Sequence, residues 1–193
     1  MLNIRTVRKE IWEILNEPSF FVVDEITLRD WRFVIRNIMN VKEKMFLTDL
    51  LGRLLQAGSI FQSKESENLQ KSKILKRLAF IIYCGEFNEY VPFLQVIMEK
   101  LVEAMRTANH AHVFVTNFLL LVRVMIARIS SQHISTYWPT ILTELTRLFT
   151  DQDIKDPQVL MEALKFVDMA TIVMPDEFQV FKWVYIGDSV EQR

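Results

Sequence analysis

A chain of 193 residues can bury roughly 70 % of the surface that its unfolded form exposes, so a single domain can build a sizeable core without staples. Half of the residues are hydrophobic, with only 4 glycines and 5 prolines, too few turn formers for a many-stranded sheet protein. The 23 basic and 24 acidic side chains leave a net charge close to zero, which argues against a surface built throughout for phosphate backbones.

The N-terminus, MLNIRTVRKEIWEIL, interrupts its apolar residues with charges and does not read as a signal peptide. A first helix is predicted from about Asn3 to Leu15, with Ile4, Val7, Ile11, Ile14 and Leu15 on one face, closed by Asn16 and Pro18. Phe20 and Phe21 follow that turn and read as staples against the next helix, weighed against an exposed aromatic wedge. Thr27 and Asp30 resemble a capping box for a second helix carrying Leu28, Trp31, Val34, Ile35 and Ile38. A third helix is predicted over Lys42 to Leu55, with Gly58 as its stop. The polar segment 59–72 is the candidate flexible loop, although its second half has helical character. A fourth helix continues through Ile82, and Pro92 fits the first turn of a fifth.

The longest apolar stretch, Val113 to Ile129, is broken by Asn117 and Arg123. It falls short of the ~20 residues of a membrane span and reads as the buried sixth helix. Trp138-Pro139 opens a seventh helix through Phe149, and Asp156-Pro157 pairs an N-cap with proline at the first helical position of an eighth, through Val173. Pro175 ends it, leaving an aromatic piece from Phe178 to Ile186. About eight helices on short turns predict an all-α domain over 1–193, built as antiparallel hairpins in a HEAT-like solenoid, with a compact helical bundle as the alternative. Cys84, the single cysteine, lies in FIIYCG and reads as a buried thiol in a reducing, cytosolic compartment.

Several runs resemble the C-terminal region of the Dopey family: WEILNEPSFF (12–21), DWRFVIRNIM (30–39), LKRLAFIIY (75–83), SSQHISTYWPTILTEL (130–145), ALKFVDMA (163–170) and FQVFKWVYIGD (178–188). The match extends from about Thr6 to Asp188, and the loop around Asp151 to Asp156 is shorter than the insertion expected in some relatives. The resemblance implies a non-enzymatic fragment of a much larger scaffold protein on the cytosolic face of trans-Golgi and endosomal membranes. It implies partnership with a large scaffold similar to the Arf exchange factors, with an aminophospholipid flippase and with kinesin, and recognition of phosphatidylinositol 4-phosphate.

Residues 1–80 hold 14 basic and 10 acidic side chains against 9 and 14 in 81–193, so attraction to an anionic surface is expected from the first part. Lys73, Lys76 and Arg77 share one side of the fourth helix, opposite Ile74, Leu75, Leu78, Ile81 and Ile82, and Lys64 and Lys71 extend their reach. These five are the candidate lipid-binding residues, weighed against an ordinary solvated face. Tyr137, Trp138, Trp183 and Tyr185 are the candidate protein-interaction residues, weighed against core packing.

His110 and His112 lack the further ligands of a metal site, and Ser130, Ser131 and His133 lack an orienting carboxylate and an oxyanion pocket. No Gly-rich phosphate loop is present. No cofactor, metal or catalysis is therefore expected. Arg123 and Arg128 in the apolar sixth helix read as structural, with Glu99, Glu103, Glu144 and Asp168 as possible ion partners. The functional reading is a scaffold module that binds proteins and contributes to phosphoinositide recognition. A purely structural solenoid segment without membrane contact is the alternative, and an RNA-binding solenoid is disfavoured by the charge balance.

Overall fold

The computed structural model describes residues 4–39, 45–55, 63–108, 111–150 and 156–179, and every regular element among them is helical. The α-helices are α1 (Ile4–Asn16), α2 (Glu25–Met39), α3 (Met45–Leu54), α4 (Lys64–Cys84), α5 (Leu94–Ala108), α6 (His112–Arg128), α7 (Ser131–Ile134), α8 (Trp138–Thr150), α9 (Pro157–Val173) and α10 (Pro175–Gln179). Short 3-10 turns at Phe20–Val22, Val91–Phe93 and Ser135–Tyr137 join some of them. The expected all-α class is what the structure shows.

Helix α6 is the most apolar element and is buried around much of its circumference, through Phe114, Val115, Phe118, Leu119, Val122 and Met125 among others. A helix with apolar residues on all sides needs neighbours on more than one side. It packs along α4 and, in turn, against α9. Helix α4 also touches α2 and α3, and α5 touches α3 and α6. This succession of contacts is common to stacked hairpins and to a bundle.

Helix starts follow local hydrogen-bonding chemistry. Asp156 accepts from the Gln158 N–H at 2.8 Å, and Pro157 follows at the first position of α9, as the sequence predicts. The cap of α2 differs from expectation. Asp24, not Thr27, precedes the helix and accepts from both the Thr27 N–H (2.8 Å) and its hydroxyl (3.0 Å). Those bonds hold the Asp24 carboxyl below its ordinary pKa. Ser63 accepts from Ser66 N–H at 3.3 Å and starts α4 at Lys64. Residues 64–72 of the expected loop are therefore helix, while 59–62 and Gly58 lie outside the described residues. Pro175 both follows α9 and opens the short α10.

Four polar residues on α4 do not face water. Asn68, Lys71, Ser72 and Arg77 are all buried, and each meets a neighbouring helix. Arg77 donates from Nε to the Leu15 carbonyl at 2.7 Å, and from Nη2 to those of Asn16 and Glu17, both at 2.9 Å. Its Nη1 donates to the Lys73 carbonyl at 3.0 Å. One guanidinium thus closes the last turn of α1, where helical geometry leaves carbonyls without intrahelical donors. Asn68 donates to the Ala108 carbonyl (3.3 Å) at the end of α5, and Ser72 to the Val113 carbonyl (2.6 Å) at the start of α6. Asn117 donates back to the Ser72 hydroxyl at 2.6 Å.

The other end of α4 is tied to the end of α6. Arg128 donates to the Gly85 carbonyl, the Asn88 N–H donates to the Arg128 carbonyl (2.8 Å), and the Ser130 N–H donates to Asn88 Oδ1 (2.7 Å). Asn88 adopts the left-handed region at φ 62°, which asparagine tolerates better than most residues. A Cβ on Gly85 would meet the ring of buried Tyr90 at 2.4 Å, so this turn requires glycine. Arg123, for its part, pairs with Glu162 of α9 and with none of the four carboxylates considered from sequence.

Replacing Arg77 with methionine keeps much of the side-chain volume but strips the carbonyls of Leu15, Asn16 and Glu17, at and just beyond the end of α1, of a charged donor. The substitution is expected to lower the unfolding free energy by about 3 kcal/mol in chemical denaturation. A loss smaller than about 1 kcal/mol would mean that the α1 terminus finds solvent instead.

Candidate interaction surfaces

The five basic residues singled out on α4 do not form one surface. Arg77 is committed to α1, and burial lowers its pKa from the ordinary guanidinium value. Lys71 is also buried, its ammonium 2.5 Å from Glu67 and 3.1 Å from the Thr107 hydroxyl. Neither is presented to a bilayer. Helical periodicity places both on the polar side of α4, and these two positions meet the ends of α5 and α1. Lys64, Lys73 and Lys76 remain exposed, with the Lys76 ammonium 4.7 Å from the ring centre of Phe21. At 1.5 Å of rise per residue, Lys64 stands about 14 Å along the helix from Lys73.

The exposed basic character continues instead onto α2, which packs on α4. Arg29 and Arg36 are exposed, and half-buried Arg32 lies over the Tyr83 ring at 4.7 Å. Arg36 pairs with Glu86 just beyond α4. Between these charges stand apolar side chains in water: Val22, Ile26 and Phe33, the last 71 % exposed. Ile26, Arg29 and Phe33 are spaced three and four apart and so share one stripe. The sequence held the signal: Ile26 and Phe33 fall off the face defined by Leu28, Trp31, Val34 and Ile35, among the arginines, where a solvated helix face carries no large apolar residue.

Phe20, by contrast, is core, and half-buried Phe21 packs edge-on against it. Phe20 meets Trp31 at 5.4 Å and Phe80 at 5.5 Å in edge-on geometry, clamping the α1–α2 connection onto α4.

The four candidate protein-interaction residues also separate. Trp138 is 1 % exposed, packed edge-on against Phe166 of α9 (6.0 Å) and tilted against Phe178 of α10 (5.7 Å). It is a core anchor because it opens α8 facing α9, a placement that its turn-like neighbourhood in the sequence does not disclose. Tyr137 is half-buried and lines a shallow groove of about 450 Å3 with Met98, Val102 and Thr140, flanked by Glu99, Glu103 and Arg106. Trp183 and Tyr185 lie outside the described residues.

The remaining polar constellations are accounted for locally. His112 Nδ1 lies 3.2 Å from the Asp156 carboxylate, at the cap of α9, and His110 lies outside the described residues. Ser130 and His133 belong to the α6–α7 turn, where the His133 N–H donates to the Ser130 carbonyl at 3.0 Å. No cluster of three or more metal-ligating side chains occurs among the described residues, and no helix among them is long and apolar enough to cross a membrane. Cys84 is buried, and burial pushes its thiol up to about 12 against the opposing charges of Arg32 and Arg128.

What these observations define, among the described residues, is an all-helical module whose distinctive exposed features are apolar and basic stripes on the outsides of helices. A model of the DOP1 C-terminal family matches residues 2–192, and the chain belongs to that family, also called Dopey. Protein DOP1B of Mus musculus is 28 % identical over 95 % of this chain and 9 % of its own length. The DOP1 homolog of Drosophila melanogaster is 32 % identical over 76 % of this chain and 6 % of its own length. Protein pad-1 of Caenorhabditis elegans is 28 % identical over 72 % and 6 % respectively. The chain thus spans less than a tenth of the length of these relatives. No solved structure gives a significant match.

The Cys84 environment makes a simple prediction. In the native protein at neutral pH the thiol is expected to resist iodoacetamide, and to react at the rate of a free cysteine once denaturant unfolds the chain. Fast alkylation of the folded protein, followed by mass spectrometry, would contradict the burial of the α4 terminus.

Proposed function

We propose that this chain is a non-enzymatic scaffold module of a membrane-trafficking complex at the trans-Golgi network and endosomes, working through helix surfaces that hold other molecules. Membership of the DOP1 family supports the trafficking reading, and the exposed apolar and basic stripe of α2 supports the surface reading. In the longer protein, the partners on this proposal are a large scaffold similar to the Arf exchange factors, an aminophospholipid flippase and kinesin. The anionic lipid partner is phosphatidylinositol 4-phosphate.

The single observation that carries a membrane contact is the composition of the α2–α4 surface. Arg29, Lys73 and Lys76 offer positive charge, while Val22, Ile26 and Phe33 offer apolar groups able to enter the headgroup boundary. A basic side chain close to an anionic leaflet contributes about 1 kcal/mol, so three of them, with the apolar groups, give reversible attachment.

The test is vesicle flotation with and without phosphatidylinositol 4-phosphate, comparing the wild type with Arg29→Glu/Lys73→Glu/Lys76→Glu. All three positions are exposed, so the variant is expected to fold normally and to lose flotation by at least tenfold. Arg77 stays native in this design, because its loss opens the α1 contact. Flotation equal to that of the wild type would remove this surface from the membrane contact, and a wild type that does not float with or without the phosphoinositide would leave the purely structural alternative.

A further inference from the structure

The turn between α4 and α5 holds a large apolar side chain in water on a backbone with little freedom to hide it. Phe87 is 58 % exposed. Both of its chain neighbours are fixed. The Glu86 N–H donates to the Glu89 carboxylate at 2.6 Å. Asn88, left-handed at φ 62°, donates to the Arg128 carbonyl (2.8 Å) and accepts from the Ser130 N–H (2.7 Å). Gly85 accepts from Arg128 on one side of the turn, and Tyr90 is buried on the other. A loop free to rearrange folds such a ring onto the core, whereas this backbone is pinned with the ring outside.

The turn also adjoins the stripe of α2. Arg36 pairs with Glu86, the residue before Phe87. Ile26, Arg29, Phe33 and Arg36 are spaced three and four apart on α2, so the exposed line that they form ends at Glu86 and Phe87. Arg32 lies over the ring of Tyr83, itself exposed in the last turn of α4.

We propose that Phe87 is the leading edge of this surface: its ring enters the headgroup boundary of an anionic bilayer while the arginines of α2 stay at phosphate depth. The inference rests on the membrane reading above and adds to it the residue that enters first and the end of α4 that faces the lipid. Charge supports a bilayer as the occupant. The carboxylates on either side of the ring are engaged, Glu86 with Arg36 and Glu89 with the Glu86 N–H, so the positive side chains of α2 set the sign of the potential there. A basic surface with an apolar tip is the composition that binds lipid interfaces, where guanidinium groups remain hydrated above a buried ring. An ordered turn also gives up little conformational freedom on insertion.

Phe87→Cys carrying the environment-sensitive dye NBD, in a Cys84→Ala background, reads the insertion on phosphatidylcholine vesicles containing phosphatidylinositol 4-phosphate. The same dye on Lys64→Cys, about 30 Å away at the start of α4, is the comparison. On binding, the dye at 87 is expected to brighten and to be quenched by lipids that carry a nitroxide near the headgroup boundary, while the dye at 64 stays in water. Unlabelled Phe87→Ser is expected to float about fivefold less than the wild type, and Phe87→Leu to float like it. Both should keep the wild-type thermal midpoint, since the position is exposed. A wild type that does not float overturns the membrane reading and this inference with it. If the wild type floats but the dye at 87 responds no more than the dye at 64, or Phe87→Ser floats undiminished, this inference alone falls and the ring is left for a protein partner.

Discussion

The structure depends on how helix ends are satisfied inside a helical core. Every α-helix finishes with carbonyls that have no donor within the helix, and such groups are costly to bury without one. Here the donors come from α4. Arg77 closes α1 and Asn68 reaches the last carbonyl of α5, while Ser72 adds a cross-helix bond to a first-turn carbonyl of α6 that the helix itself already supplies with a donor. Arg128 of α6 returns the arrangement by donating to Gly85 at the end of α4 itself. Because each bond requires a particular residue opposite a particular helix terminus, these contacts fix the axial register of α4 against its neighbours. Apolar packing alone would leave that register loosely specified.

The same arrangement explains which parts of the structure were legible in the sequence. Elements governed by local chemistry were readable: the Asp156-Pro157 start of α9, the apolar run of α6, and Phe20 and Phe21 as packed residues next to a turn. Elements governed by distant partners were not. Periodicity correctly put Lys71 and Arg77 on the polar side of α4. It carries no information on whether a helix terminus sits opposite, and the carbonyls bound by Arg77 lie some sixty residues away in the chain. Arg123 shows the same limit, since Glu162 of α9 is its partner and none of the carboxylates considered beforehand. Trp138 shows its apolar counterpart, an aromatic beside a turn whose burial depends on where α9 and α10 arrive. The capping of α2 was misplaced by one interaction, because Thr27 is the donor to Asp24 and not itself the cap.

For function, the division between inward and outward polar groups matters more than net charge. Once Arg77 and Lys71 are assigned to the interior, the basic surface moves from α4 alone to the junction of α4 with α2, where arginines and exposed apolar residues alternate. A surface of that composition, basic and apolar together, suits reversible association. Lys71 and Arg77 lie in mid-α4 but meet the ends of α5 and α1 and are consumed by structure, whereas Lys64, Lys73 and Lys76 of the same helix stay exposed.

On this arrangement α4 and α6 form the most stable unit, and the remaining helices are registered on it. Native-state hydrogen exchange across increasing denaturant measures this directly, because it ranks segments by the free energy needed to open them. Amides of α4 and α6 should exchange only through global unfolding, with α1 and α2 opening earlier. Exchange from α4 at lower denaturant than from α1 would contradict the account.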